Sequence, residues 1–180
     1  MLPPEASLMK AGLKPGDILA DIGCGTGYFS IPASRIVGKD GKVFALDISG
    51  EMIAFITDKI GRDESLTNIV ALRSEPTRFP LPDQAVTVAL VSNVLHEADD
   101  KPGLIREISR VLTLRGRLAI IEWKKIHSDI GPAYEDRVSE DEIRGLIEKE
   151  GFSLKAAENL SEVQMLYLCG KIVDFKGVLI

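Results

Sequence analysis

Asp17-Ile18-Leu19-Ala20-Asp21-Ile22-Gly23-Cys24-Gly25-Thr26-Gly27 is the stretch whose reading decides the fold. Its first six residues are mostly apolar and predict a strand. Three glycines on alternate positions then predict a sharp turn that lets a ligand approach the backbone closely. The run from about Thr26 to Val37 reads as a helix, with Pro32 tolerable only in its first turns. A strand, a glycine turn and a helix in that order form the nucleotide end of a βαβ unit, with N–H groups at the helix start turned to the ligand.

The same alternation continues along the chain. Strands are expected at Lys42–Asp47, Asn68–Arg73, Ala85–Ser92 and Arg117–Trp123. Ala85–Ser92 is almost continuously apolar, as suits a strand covered on both faces. A helix over Gly50–Ile60 sets Met52, Ile53, Ile56 and Ile60 on one face and ends at Gly61. A second opens at Pro102 and runs to Leu112, burying Leu104, Ile105, Ile108, Val111 and Leu112. Ser139 and Glu142 form a capping box for a third, which stops at Gly151. Phe152–Asn159 and Gln164–Gly170 lie too close together for a helical crossover, so they must pair antiparallel. The fold class is therefore α/β: a Rossmann-like, doubly wound, seven-stranded sheet, mostly parallel with an antiparallel C-terminal strand. Residues 1–180 form a single domain.

Bulk properties narrow the function. The chain has 180 residues, 45% hydrophobic and 27% charged, with a net charge of −5. That balance gives no electrostatic reason to expect nucleic acid or an anionic membrane surface as partner. No run approaches the roughly 18 apolar residues of a membrane span. Two cysteines, Cys24 and Cys169, make neither a disulfide framework nor a metal site, and point to a reducing, cytoplasmic setting. The pair Asp99-Asp100 reads as helix-capping charge rather than as a metal site.

Glycines alone would also suit a tight turn that binds nothing. Asp47 changes the balance, because it ends the second strand twenty positions past Gly27, where a carboxylate reaches a ribose hydroxyl pair. Asp21, at the tip of strand one, would repel a pyrophosphate but attract a cation. Position 28 is Tyr rather than the small residue of a dinucleotide fingerprint. Together these favour a nucleoside without phosphates over NAD.

Asp21–Gly27 resembles motif I of the class I S-adenosylmethionine-dependent methyltransferases, behind a Lys14-Pro15-Gly16-Asp17 lead-in of the same kind. The resemblance continues through Leu46-Asp47-Ile48-Ser49, Phe79-Pro80-Leu81-Pro82-Asp83, Ser92-Asn93-Val94-Leu95-His96-Glu97 and Leu112-Thr113-Leu114-Arg115-Gly116-Arg117. It covers roughly residues 13–125 and is closest to the ubiquinone- and menaquinone-biosynthesis-like (type 11) subgroup. It implies S-adenosyl-L-methionine as cofactor and a small-molecule methyl acceptor. Gly23, Cys24, Gly25 and Gly27 would pass the methionine part, with Asp21 near its amino group. Asp47 would take the ribose hydroxyls, with Ile48 and Met52 against the adenine. Ser74 or Glu75 would meet the adenine amino group, and Asn93 the sulfonium end.

Alignment of acceptor, methyl and sulfur is the main task, since a sulfonium is already an activated donor. His96 is the candidate general base, beside the alternative of a structural histidine. Trp123 is either a wall of the acceptor pocket or core. A non-catalytic cofactor-binding module and an NAD-dependent oxidoreductase are the competing classes. The apolar stretch from Gln164 to Ile180 predicts a homodimer, unless that strand is inserted within the sheet.

Overall fold

The sheet follows from where the apolar runs fall. The computed structural model describes residues 3–172. β1 (Ile18–Ile22) lies between β2 (Lys42–Asp47) and β4 (Val86–Ser92), both parallel to it. β3 (Ile69–Arg73) extends the sheet beyond β2, and β5 (Leu112–Trp123) extends it beyond β4. The last two strands, β6 (Phe152–Asn159) and β7 (Gln164–Lys171), pair antiparallel, giving the order β3-β2-β1-β4-β5-β7-β6.

β7 is thus an interior strand, paired with β5 from Arg117↔Gly170 to Trp123↔Gln164. That inserted position removes the exposed edge on which the dimer expectation partly rests. The edge falls instead on β6, where Lys155 and Glu158 are exposed, and charges on an edge discourage further pairing. The apolar tail after Asp174, the other basis of that expectation, lies outside the described residues.

Helices α1 (Pro4–Lys10), α2 (Ser30–Val37), α3 (Gly50–Arg62), α4 (Lys101–Val111) and α5 (Glu140–Lys149) cover the sheet. Leu104, Ile105, Ile108 and Val111 of α4 are buried, with Ile56 of α3 and Ile143 and Ile147 of α5. Asp100 caps α4 by accepting from the Gly103 N–H, and Ser139 with Glu142 forms the capping box of α5.

Three boundaries differ from expectation. Helix α3 runs through Gly61, which keeps helical geometry, and is capped at Asp63. Leu112 opens β5 rather than ending α4, because it pairs with Val86, and the run up to Arg117 bulges before the ladder resumes. Helix α2 starts at Ser30, not Thr26, for a reason that belongs to the site.

At the opposite end of the sheet Asp17 pins three strands together. It accepts from Thr87 Oγ1 at 2.9 Å, Arg117 Nη2 at 2.6 Å and the Lys14 N–H at 3.0 Å. The 79–83 segment is held to α4 in the same manner: buried Glu107 accepts from the Phe79 N–H at 2.6 Å and pairs with Arg110.

Candidate functional site

The chain leaves β1 for β2 on one side and later returns through β4 on the other, so a crevice opens at the carboxyl ends of β1 and β4. The glycine turn occupies that point. Gly23, Gly25 and Gly27 all have positive φ (72°, 51° and 85°), a region most side chains avoid. A Cβ on Gly27 would lie 2.8 Å from Ile56 Cδ1, so this glycine seats the turn against α3. A Cβ on Gly25 would meet nothing within 4 Å, which leaves open space above that backbone.

Four N–H groups of the expected row, those of Gly23, Cys24, Gly25 and Gly27, are already bonded within the protein. Gly23 and Cys24 both donate to the Leu46 carbonyl, at 2.8 and 2.9 Å, and Gly27 donates to Cys24 O at 2.9 Å. Gly25 donates to Asp47 Oδ2 at 2.9 Å. These bonds consume the amides in tying the turn to β2, and they delay the helix to Ser30. A turn with its donors spent in this way makes a poor phosphate cradle.

Two carboxylates flank the turn. Asp47 holds Gly25 on one oxygen and the Ser49 N–H on the other at 2.8 Å. Each oxygen keeps a further lone pair. Asp21 is buried and accepts from Ser30 Oγ at 2.5 Å. Burial raises its pKa to about 6, the Ser30 bonds pull it down, and the Asp47 charge adds to the rise. Burial, with the Asp21 and Asp47 charges, also pushes the Cys24 thiol up, so it is a neutral wall and not a nucleophile.

Two cavities meet at Gly23, Ser92 and Asn93. One, of about 280 Å³, is lined by Asp47, Ile48, Ser74, Glu75, Phe79 and Glu97 among others. The second, of about 400 Å³, is lined by Asp21, Cys24, Gly25, Tyr28, Phe29, Trp123 and Gln164. Among the described residues their walls contain aspartates and glutamates but no lysine, arginine or histidine. Arg73 and Arg78 line an adjoining hollow that shares Ile48, Ser74, Glu75, Pro76 and Phe79 with the smaller cavity.

Of the residues singled out by the sequence, Asp21, Gly23, Cys24, Gly25 and Asn93 come together around the 400 Å³ cavity. Asp47, Ile48, Ser74 and Glu75 line the other, together with Gly23 and Asn93. Gly27 and Met52 line neither; Met52 lies in the first turn of α3, its N–H bonded to Ser49 Oγ. His96 also lines neither. Its side chain is 8% exposed, with Nδ1 2.9 Å from Glu122 Oε1 and Nε2 3.7 Å from Glu97 Oε1. Glu122 is buried and also accepts from the His96 and Trp123 N–H groups. The pair clamps the turn after β4 to the tip of β5.

Trp123 does wall the larger of the two cavities. The Arg137 guanidinium lies 5.6 Å from its indole ring, close enough for a cation–π contact. Gly131 packs against the indole so closely that a Cβ there would fall 2.6 Å from Cε3. Buried Arg137 donates to the carbonyls of Lys124, Ile126, Ile130 and Pro132 and to Ser128 Oγ, and so holds the insert after β5 in one shape. The sequence does not single out Gln164, Ser30 or Arg137. Each acts on a partner brought near only by the fold, except Ser30, whose polar side chain at the start of a helix behind the turn is a readable signal.

Compared with known proteins, residues 20–120 match the methyltransferase domain family. A ubiquinone/menaquinone biosynthesis C-methyltransferase from Vibrio campbellii is 33% identical over 115 residues, covering 64% of this chain and 44% of that protein. The chain thus spans less than half the length of that curated relative. A solved S-adenosylmethionine-dependent methyltransferase from Aquifex aeolicus superposes with a TM-score of 0.89 at 32% identity, covering 93% of this chain and 89% of the other. The geranyl diphosphate C-methyltransferase of Streptomyces coelicolor, solved with S-adenosyl-L-homocysteine, shares the fold with a TM-score of 0.78 at 17% identity, covering 94% and 79%.

Proposed function

The chain belongs to the S-adenosylmethionine-dependent methyltransferases, with S-adenosylmethionine as its cofactor, and on that premise we propose that it transfers the cofactor's methyl group to a small-molecule acceptor held in the cavity walled by Trp123. The observation that carries this reading is the chemistry of the walls. Among the described residues the two cavities that meet at Gly23 bear carboxylates and no cationic side chain, Arg73 and Arg78 standing only in the hollow beyond Ile48 and Glu75, and Gly23, Cys24, Gly25 and Gly27 have spent their amides. Such walls suit a nucleoside whose only charged groups lie at a methionine-like end, and repel a dinucleotide's pyrophosphate.

Asp47 accepts the ribose hydroxyls through its remaining lone pairs, and Ile48, Ser74, Glu75 and Phe79 flank the adenine. Asp21, Gly23, Cys24 and Gly25 hold the methionine end, with Asn93 at the junction of the two cavities. Gly27 and Met52 act from behind, by seating the turn and by starting α3. The bound cofactor supplies an activated methyl group. The chain's own contribution is to align an acceptor against it and to exclude water, with Tyr28, Phe29 and Trp123 as the aromatic wall. His96 serves as an anchor for the turn after β4, since its Nδ1 is tied to Glu122 and it lines neither cavity. The two unbridged cysteines suit a reducing compartment such as the cytoplasm.

One observation favours a second reading, a cofactor-binding module without turnover: among the described residues Asp21 is the only carboxylate lining the acceptor cavity, and no histidine stands beside it. A screen of alcohols, thiols, amines and phenols with methyl-labelled S-adenosylmethionine tests the difference. Label transferred to an acceptor supports the enzyme. A protein that binds S-adenosylhomocysteine tightly yet labels nothing in the panel supports the module.

A further inference from the structure

We infer that Gln164 is a positioning residue for the reacting end of the cofactor, holding the Asn93 carboxamide and presenting its own Oε1 to the sulfonium side of the cavity; this rests on the reading of the crevice given above. Gln164 opens β7 and sits opposite Trp123 in the β5–β7 ladder, 7% exposed. Its main chain is immobilised, because its N–H donates to Ser161 Oγ at 3.1 Å and its carbonyl accepts from the Leu160 and Ser161 N–H groups. From there the side chain crosses the tip of β5, and Nε2 donates to Asn93 Oδ1 at 2.9 Å.

Asn93 is itself held in an unusual backbone conformation. Its φ of 55° falls in the left-handed region, which non-glycine residues seldom adopt. Its N–H donates to Ile121 O at 2.8 Å. A left-handed residue held by two bonds from neighbouring strands is a fixed point at the junction of the two cavities. The bond from Gln164 sets which way its amide faces.

The other half of the Gln164 amide is the second observation. Among the described residues no donor meets Oε1, although the side chain belongs to a residue more than nine-tenths buried and lines the cavity. Oε1 is not one of the sealed, unpaired polar atoms of the interior, so it keeps surface open to an incoming donor. Here the open direction is the cavity, where the Asp21 carboxylate is the sole charged side chain on the described wall. An amide oxygen and a carboxylate on one wall together present negative potential to whatever the cavity holds, and so suit a positively charged group. A sulfonium spreads its charge over the hydrogens of its attached carbons, which then donate weak C–H···O bonds.

S-adenosylmethionine and S-adenosylhomocysteine differ only in that methyl group and its charge, so the pair separates this role from a structural one. We would titrate both into wild type and Gln164→Leu by calorimetry. Gln164→Leu should weaken S-adenosylmethionine about five- to tenfold, the loss of a dipole facing a cation. S-adenosylhomocysteine should stay within about twofold. If thermal unfolding shows that the Leu variant does not fold, Gln164→Met, which keeps the unbranched length, carries the same comparison. Equal weakening of both ligands, or an unchanged ratio, overturns the inference. A wild-type protein that binds neither ligand overturns the cofactor reading itself.

Discussion

Asp21 should cost the folded protein stability in order to serve the cofactor, and Asp21→Asn tests this. Its pKa is 3.8 when unperturbed and about 6 in the fold, raised chiefly by burial. A carboxylate with a raised pKa binds more protons folded than unfolded between those values. Stability therefore falls as pH rises from 3.8 to about 6 and stays low above. A shift of about 2 units corresponds to about 3 kcal/mol, an upper figure for a buried group. Asn removes the charge and keeps an oxygen for Ser30 Oγ. The ligand-free variant should therefore be more stable at pH 7.5, by about 2–4 °C of Tm for each kcal/mol recovered. The gain should shrink as pH drops through 6 and vanish near 4. The same variant should bind S-adenosylhomocysteine at least about tenfold more weakly, since a charge-assisted bond to the ligand's amino group is worth about 1.5–3 kcal/mol. Thermal unfolding at pH 4, 5, 6 and 7.5, with calorimetry at 7.5, reads both. A variant less stable than wild type at pH 7.5, or a Tm difference that ignores pH, would refute the reasoning.

Other consequences are more local. Asp47→Ala should weaken S-adenosylhomocysteine binding at least about tenfold in calorimetry, and an unchanged affinity in a folded variant would remove Asp47 from the ribose site. Gly27→Ala places a methyl 2.8 Å from Ile56 Cδ1 at φ 85°. Chemical denaturation should show a loss of about 1–3 kcal/mol; no loss would mean that the turn adjusts freely. His96→Asn should lower Tm while leaving the pH dependence of any methyl transfer unchanged, whereas loss of an ionisation near neutral pH from the rate profile would restore the base.

The strand order is readable because most elements carry their own local signal. Ala85–Ser92 is apolar throughout, Ser139 and Glu142 announce α5, and the 152–170 pair is too close for a crossover. Asp47 is readable too, since its place at a strand end depends on spacing alone. The errors fall where tertiary pairing overrides local preference. Leu112 continues an apolar helical face, yet Val86 draws it into β5. Thr26 looks like a helix start, but Leu46 and Asp47 capture the turn's amides first. His96 is a different case, a residue with a base's chemistry that the fold sets outside both cavities, its Nδ1 on Glu122 twenty-six positions away. Gln164 is invisible because its role depends on β7 entering the sheet beside β5, which places it within reach of a residue seventy-one positions earlier.

The central claim is that the crevice accepts a phosphate-free nucleoside with a methionine end. Calorimetry of the wild-type protein against S-adenosylhomocysteine and NAD, in one buffer without added metal, tests it most directly. A 1:1 isotherm with S-adenosylhomocysteine and no heat with NAD is the result predicted. Binding of NAD with none of S-adenosylhomocysteine would contradict it.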